Sequence, residues 1–304
     1  MIRFKFSTPD AQTLPTPSIF LFDVHRRFAA ALHLFSIEDT VARGWPPQPR
    51  VLRQLFFSAW LYIPPWLRLR CYLLLGRFGA WFYGGGIEHT VQRLPFGLVL
   101  KRCIRYPSSA QNEPNALRLV ERYAPDIPAP RVVDVGESNG ETCLLMTHLP
   151  GQMLNDVLHL MSYAERDRFA DDLANASTAA ALFLFCNTLG GPVIDHRIPD
   201  GSGGPFRSEA EFNAHLTSHL ECLPGDIVGE ENVRYDHRSC FTHSDFHCTN
   251  LLVDRGRLRG IIDWECAGFL PEYWEFTKAM YSARQHPAEL EVERKLWRYT
   301  PFGV

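Results

Sequence analysis

The sequence predicts an α+β chain of two lobes, a small β-rich lobe followed by a larger, mainly helical one. Three observations lead there. Residues 88–149 read as strand, strand, helix, strand, strand; after Pro150-Gly151 the texture turns helical behind two capping boxes; and no internal repeat or low-complexity tract points to a solenoid. With 304 residues, 46% hydrophobic and 21% charged, the chain has material for one large domain or two lobes.

Residues 1–50 carry prolines in clusters (Pro15, Pro17, Pro46, Pro47, Pro49) around one helix expected from about Phe20 to Phe35. Residues 51–83 are rich in Leu, Phe, Trp and Arg. Arg53, Arg68, Arg70 and Arg77 interrupt the segment and Pro64-Pro65 breaks it, so no ~20-residue uncharged run exists to span a bilayer. Two short helices packing their apolar sides on the following domain are expected, with an interfacial helix as the alternative. Residues 1–84 are therefore assigned to an accessory helical region.

After Gly84-Gly85-Gly86 come short β-prone runs, HTVQRL and GLVLKRCIR, joined through Pro95-Phe96-Gly97. In the second run Leu98, Leu100 and Arg102 alternate with Val99, Lys101 and Cys103. A helix follows with Asn112 as expected N-cap, Glu113 and Pro114 in its first turn, and Leu117, Val120 and Tyr123 along one face. RVVDVGE and ETCLLMTHL, separated by Ser138-Asn139-Gly140, read as a hairpin. Residues 85–149 thus form the first lobe and 150–304 the second. In the latter, Ser162-x-x-Glu165 opens an Ala-rich helix expected to reach about Asn187, Ser208-x-x-Glu211 opens another, and residues 200–205 (DGSGGP) read as a flexible loop.

The chemistry concentrates in residues 241–265, FTHSDFHCTNLLVDRGRLRGIIDWE. LLV and RLRGII flank Asp254-Arg255-Gly256 and should fold back as a hairpin, returning Asp263 to the neighbourhood of Asn250. A carboxylate and an amide oxygen suit hard Mg²⁺, which keeps its other positions for water and phosphate. Asp245, ahead of the hairpin, is then free to accept a hydroxyl proton during phosphate transfer. Asp263, an acid directly after an apolar strand, needs a partner or an ion.

H-x-D-x-x-x-x-N followed by a hairpin and I-D-W-E resembles the aminoglycoside phosphotransferase and choline kinase-like superfamily, fungal members included. The similarity runs over roughly residues 85–300, through RLPFGLVLKR, PAPRVVDV, LLMTHLPG, GPFRSEAEFN and AGFLPEYWEFTKAMY. It implies a bilobal protein kinase-like fold using ATP or GTP and Mg²⁺. Asp245 would be the base, with His243 bracing its loop, and Asn250 and Asp263 would bind the metal. Lys101 would hold the α- and β-phosphates, paired with Glu113. Met146 would back the nucleotide pocket, and Thr147 to Leu149 would form the hinge that contacts adenine. The chain departs from the pattern at Ser244, where the family has Gly, and in lacking G-x-G-x-x-G; Gly84 to Gly86 or Pro95-Phe96-Gly97 would have to cover the phosphates.

Two other functions have a sequence basis. His243, Asp245 and His247 alternate as zinc ligands do, with Cys240 and Cys248 nearby. A kinase-like scaffold that binds nucleotide or a protein without transferring phosphate is the second. Glu265, Glu272 and Glu275 read as surface acids or contacts for a cationic acceptor. The acceptor itself is a small-molecule hydroxyl of unassigned class. A net charge of −3 gives no field for nucleic acid or an anionic membrane, and eight cysteines without CxxC spacing or an apolar leader read as free thiols in a cytoplasmic protein.

Overall fold

The computed structural model describes residues 60–84, 90–103, 110–138, 141–175, 184–195, 197–219 and 235–279. The expected helix from Phe20 to Phe35 and the glycines at 85 and 86 lie outside them.

The first lobe is a four-stranded antiparallel sheet of order β1-β2-β4-β3, with β1 Val91–Leu94, β2 Leu98–Cys103, β3 Val132–Ser138 and β4 Glu141–Thr147. Helix α1 (Pro65–Tyr83) covers one face and α2 (Asn112–Tyr123) the other. β4 is sandwiched between them, which explains its unbroken apolar run. Cys143 and Leu145 join Leu69, Tyr72, Leu98 and Leu100 on the α1 side, and Leu144 and Met146 join Leu117 and Val120 on the α2 side.

α1 is one continuous 19-residue helix, and Trp60 and Leu61 before it are also helical. The chain leaves helix over residues 62–64, so the proline pair does separate two helical stretches, and Pro65 opens the second in its first turn, where a missing N–H costs nothing. On its inner side Arg68 pairs with Asp134 at 2.9 Å. The Tyr72 hydroxyl donates to the same carboxylate at 2.7 Å and accepts from the Trp60 indole at 2.7 Å; burial and then that Asp134 bond push the phenol pKa up. At Gly79 the helix approaches β1 so closely that a Cβ would lie 2.2 Å from the Arg93 carbonyl oxygen. Gly79→Ala is expected to destabilise the protein by about 1–3 kcal/mol through overpacking, read from denaturant unfolding.

α2 differs from expectation at its start. Gln111 is the N-cap, and Asn112, already helical, is buried. Its amide donates to the Glu265 and Ala267 carbonyls at 2.8 Å each, and its oxygen accepts from the Thr188 N–H at 2.9 Å and hydroxyl at 2.6 Å. Asn112 therefore ties the helix to the second lobe. Tyr123 is exposed, beyond the last residue of the buried stripe, which ends at Val120.

Beyond residue 150, α3 (Tyr163–Asn175), α4 (Glu209–Leu216) and α5 (Trp274–Ala279) alternate with short antiparallel strands, among them β5 (Gln152–Met153) and β9 (Ser239–Thr242). The first capping box is reciprocal: the Ser162 N–H donates to Glu165 at 2.9 Å and the Glu165 N–H to Ser162 at 3.4 Å. The second is half made, because Glu211 accepts from the Arg207 N–H while its own N–H donates to Ser208. The helix expected to reach Asn187 is described to Asn175, and Cys186–Asn187 is a strand, β6. Residues 200–205 are not a loose loop. Ser202–Gly203 (β8) pairs with Val193–Ile194 (β7), and the glycines accommodate the Phe206 and His215 rings, a Cβ at Gly203 meeting His215 at 2.4 Å.

Candidate active site

β10 (Leu251–Asp254) and β11 (Arg257–Ile261) form the expected hairpin, with Leu251 opposite Ile261, Asp254 opposite Arg257 and a bulge between Leu252 and Val253. The Ile262 N–H continues the ladder onto the Asn250 carbonyl at 2.9 Å. Asn250 and Asp263 thus leave the hairpin at its open end, on neighbouring rungs. Asp263 itself is left-handed, φ 67 and ψ 60, a conformation unusual for a residue with a side chain and typical of functional turns.

The loop before the hairpin is fixed from inside. The buried His243 ring donates through Nε2 to the Ile262 carbonyl at 2.9 Å and accepts from the Asp245 N–H at Nδ1, 3.2 Å away. Its edge packs on Trp264, ring centroids 4.7 Å apart. The Asn250 amide donates to the Asp245 carbonyl at 2.9 Å and to its carboxylate at 3.0 Å. That orientation turns the Asn250 oxygen away from Asp245.

This geometry removes the zinc alternative. Both His243 nitrogens are engaged, and His247 points its Nδ1 at the Thr249 hydroxyl, 3.1 Å away. Cys240 is inert, its thiol pushed up to about 11 by burial and then by Glu272. Six cysteines among the described residues are free. The group of carboxylates, imidazoles or thiols that does converge among the described residues is Glu113, Asp263 and Glu265, with ligand oxygens within 4.8 Å of one another.

Lys101 enters that group. Its ammonium lies 2.8 Å from Glu113 and 3.0 Å from Glu265, and in contact with Asp263. β2 delivers it by simple alternation: Leu98 and Leu100 face α1, and Lys101 faces the second lobe. Glu113 reaches it from the first turn of α2, and Asp263 and Glu265 from the end of the hairpin. Burial alone would pull the lysine pKa down, but Glu113, Asp263 and Glu265 together hold it well above the ordinary value. Glu113, fully buried and sharing one cation with two other acids, is raised despite Lys101. Glu265, read from sequence as a surface acid or an acceptor contact, is instead a partner of this lysine. Its two-residue spacing from Asp263 was the available signal.

A second network, missed from the sequence, supports the loop from below. Ser244 is buried and left-handed (φ 64), where glycine would be unstrained. Its N–H donates to Glu275 at 3.0 Å and its hydroxyl to Asp195 at 3.1 Å. Asp195 also accepts from the Trp274 indole at 2.9 Å and from Arg197 at 3.2 Å, and the Arg197 guanidinium lies 3.7 Å from the Trp274 ring centroid. Glu275 is therefore buried under the loop and Glu272 pairs with Arg238 at 2.7 Å, so neither is placed as an acceptor contact. The signal lay in VIDHR, an acid and an arginine two residues apart after an apolar strand. Asp195→Ala leaves Arg197 buried without that counter-charge, and an unfolding titration should show a loss of about 3–5 kcal/mol.

The segment from 146 to 149 is partly committed within the protein. Met146 is buried beside Leu144. The Thr147 N–H donates to Arg131 and the His148 N–H to Gly97, at 2.9 and 2.8 Å, while the Thr147 hydroxyl accepts from the Arg131 N–H. Leu149 lies over the hairpin, where a Cβ at Gly260 would meet its Cδ1 at 2.7 Å. The same contacts place Pro95-Phe96-Gly97 at the hinge end of β2, four residues and ~13 Å from Lys101. That turn does not reach the lysine. Val91, at the other end of β1, pairs with Lys101, and the Thr90 carbonyl accepts from the Arg102 N–H at 2.8 Å; residues 85–89 lie outside those described.

Residues 196–301 match the family described as "Phosphotransferase enzyme family". The matched stretch is about a third of the chain. It contains the loop, the hairpin, Asp263 and Glu265. No curated protein sequence gives a significant match. Among solved structures, a thermostable mutant of aminoglycoside phosphotransferase APH(4)-Ia in ternary complex with ADP and hygromycin B is 18% identical, covering 74% of this chain and 81% of that one at a TM-score of 0.46. The gentamicin–APH(2")-IIa complex is 17% identical, covering 70% and 73%, at 0.45.

Proposed function

We propose that this protein transfers the γ-phosphate of ATP or GTP to a hydroxyl of a small molecule. The observation that carries the reading is Lys101, drawn from the first lobe into Glu113, Asp263 and Glu265 beside the loop that presents Asp245. In this reading residues 85–149 and 150–304 are the two working lobes and 1–84 is accessory.

The acceptor oxygen attacks the γ-phosphorus, the bond to the β–γ bridging oxygen breaks, and the nucleoside diphosphate leaves. Asp245 takes the hydroxyl proton. Asn250 orients the Asp245 carboxylate and His243 holds the backbone of the loop, both positioning roles on the hydrogen bonds above. Lys101 would bind the α- and β-phosphates, with Glu113 keeping it charged. Met146 would back the base, and Leu149 is the hinge residue left to meet it, since the N–H groups of Thr147 and His148 are engaged.

The donor set fits magnesium. Three carboxylates meet one ammonium, a local excess of negative charge, and Asp263 and the Asn250 amide oxygen are hard oxygen ligands. Asn250 and Asp263 would hold the ion, which when bound would neutralise charge developing on the transferred phosphate.

A non-catalytic module would retain nucleotide binding alone. Joint presence of Lys101, Glu113, Asp245, Asn250 and Asp263 in one connected arrangement favours the enzyme. The test is nucleotide consumption by purified protein with Mg²⁺ across amino sugars, choline-like alcohols, amino-acid alcohols and simple sugars. Acceptor-dependent consumption in one class is expected. Tight nucleotide binding with no consumption in any class would favour the module.

A further inference from the structure

The outward face of α1 has no cover among the described residues, and its composition is unusual for a solvated helix. Trp66, Leu74 and Trp81 are 61%, 62% and 77% exposed, with Leu67, Phe78 and Phe82 also open to solvent. They recur at helical spacing, opposite Leu69, Tyr72 and Gly79, which face the sheet. Phe78, Trp81 and Phe82 cluster, with ring centroids 4.9 to 6.0 Å apart. Arg70 and Arg77 lie in the same stripe, Arg70 over the Trp66 ring at 5.8 Å. A contiguous apolar patch of this kind on a folded surface marks an interaction site.

Charge identifies the occupant. From Thr40 to Ile87 the chain has no Asp or Glu and, besides Arg68, which is buried against Asp134, five arginines, while its net charge is −3 overall. The near-neutral total, which argued against an anionic membrane, thus hides a basic segment set against a more acidic remainder. A second copy paired through this stripe would set Arg70 and Arg77 against their own equivalents. The preceding residues 40–59 carry Arg43, Arg50 and Arg53 and would add like charge rather than neutralise it. An anionic lipid surface satisfies both halves of the face: headgroups meet the arginines, and the Trp, Phe and Leu side chains enter the interface. No helix among the described residues is long and apolar enough to cross a membrane, so α1 would lie in the interfacial plane.

We propose that the outer face of α1 docks the protein onto anionic phospholipid bilayers.

The experiment is flotation of the full chain with vesicles of phosphatidylcholine alone or with phosphatidylserine. Strong partition onto the phosphatidylserine vesicles and weak partition onto phosphatidylcholine are expected, with binding falling as salt rises. Leu74→Glu with Trp81→Glu should abolish partition. Arg70→Glu with Arg77→Glu should lower it by at least about tenfold. Each variant is accepted only with an unchanged circular dichroism spectrum and melting curve, and since both pairs alter exposed side chains, either suffices alone. Equal partition of wild type and variants overturns the proposal. So does failure to bind either vesicle, whether sedimentation then shows a dimer that Leu74→Glu dissociates or hydrogen exchange shows the face covered by the chain's own residues.

Discussion

Asp245→Asn should lower turnover by about 10²- to 10⁴-fold, the span lost when a positioned general base is removed, while nucleotide affinity stays near wild type. The separation follows from the contacts. Asp245 is bound by the Asn250 amide and takes no part in the ion pairs of Lys101, Glu113, Asp263 and Glu265. The substitution keeps the side chain's shape, and the His243 bond to the residue's backbone N–H is unaffected. Steady-state kinetics with a titrated nucleotide analogue distinguish the two quantities. A parallel loss of affinity and turnover would mean that Asp245 supports the nucleotide site instead of acting as the base.

Lys101→Met should lower stability by about 3–5 kcal/mol, because it leaves the buried Glu113 facing two further acids without its cation. Lys101→Met combined with Glu113→Gln should recover part of that loss. Nucleotide affinity should not return, since both variants lack the ammonium. The lysine also has an alkaline signature. Its folded pKa is raised, so its contribution is fully present below the unfolded lysine value of about 10.4 and is lost as pH climbs through the folded value. The wild-type stability curve should therefore fall above about pH 10.4, and the Lys101→Met curve should fall less.

The hairpin and its cargo were legible because their signals are local. Turn residues at 254–256 and two β-prone flanks determine the fold-back, and the fold-back alone brings Asp263 beside Asn250. Period-two alternation in β2 likewise sorts Lys101 from Leu98 and Leu100. Partners distant in sequence were not legible. Asn112 looks like a helix cap, yet its amide bonds run to residues 188, 265 and 267, and no local pattern distinguishes those uses. Asp195, Arg197, Ser244 and Glu275 meet only after the second lobe has folded. Glu265 and Glu275 were read as surface acids or acceptor contacts for the same reason: the flanking residues do not reveal which partner a carboxylate meets. α1 gave half its answer, since composition shows an apolar helix but not which of two apolar faces is covered.

The most direct test of phosphoryl transfer follows the atoms. Protein, Mg²⁺ and the acceptor found in the consumption screen are incubated with ATP carrying ¹⁸O on its γ-phosphate, and the acceptor is analysed by mass spectrometry. A phosphorylated acceptor that retains all the non-bridging label is expected from the wild-type protein, and almost none from Asp245→Asn. Label found solely in inorganic phosphate, or equal product from both proteins, would contradict transfer with Asp245 as the base.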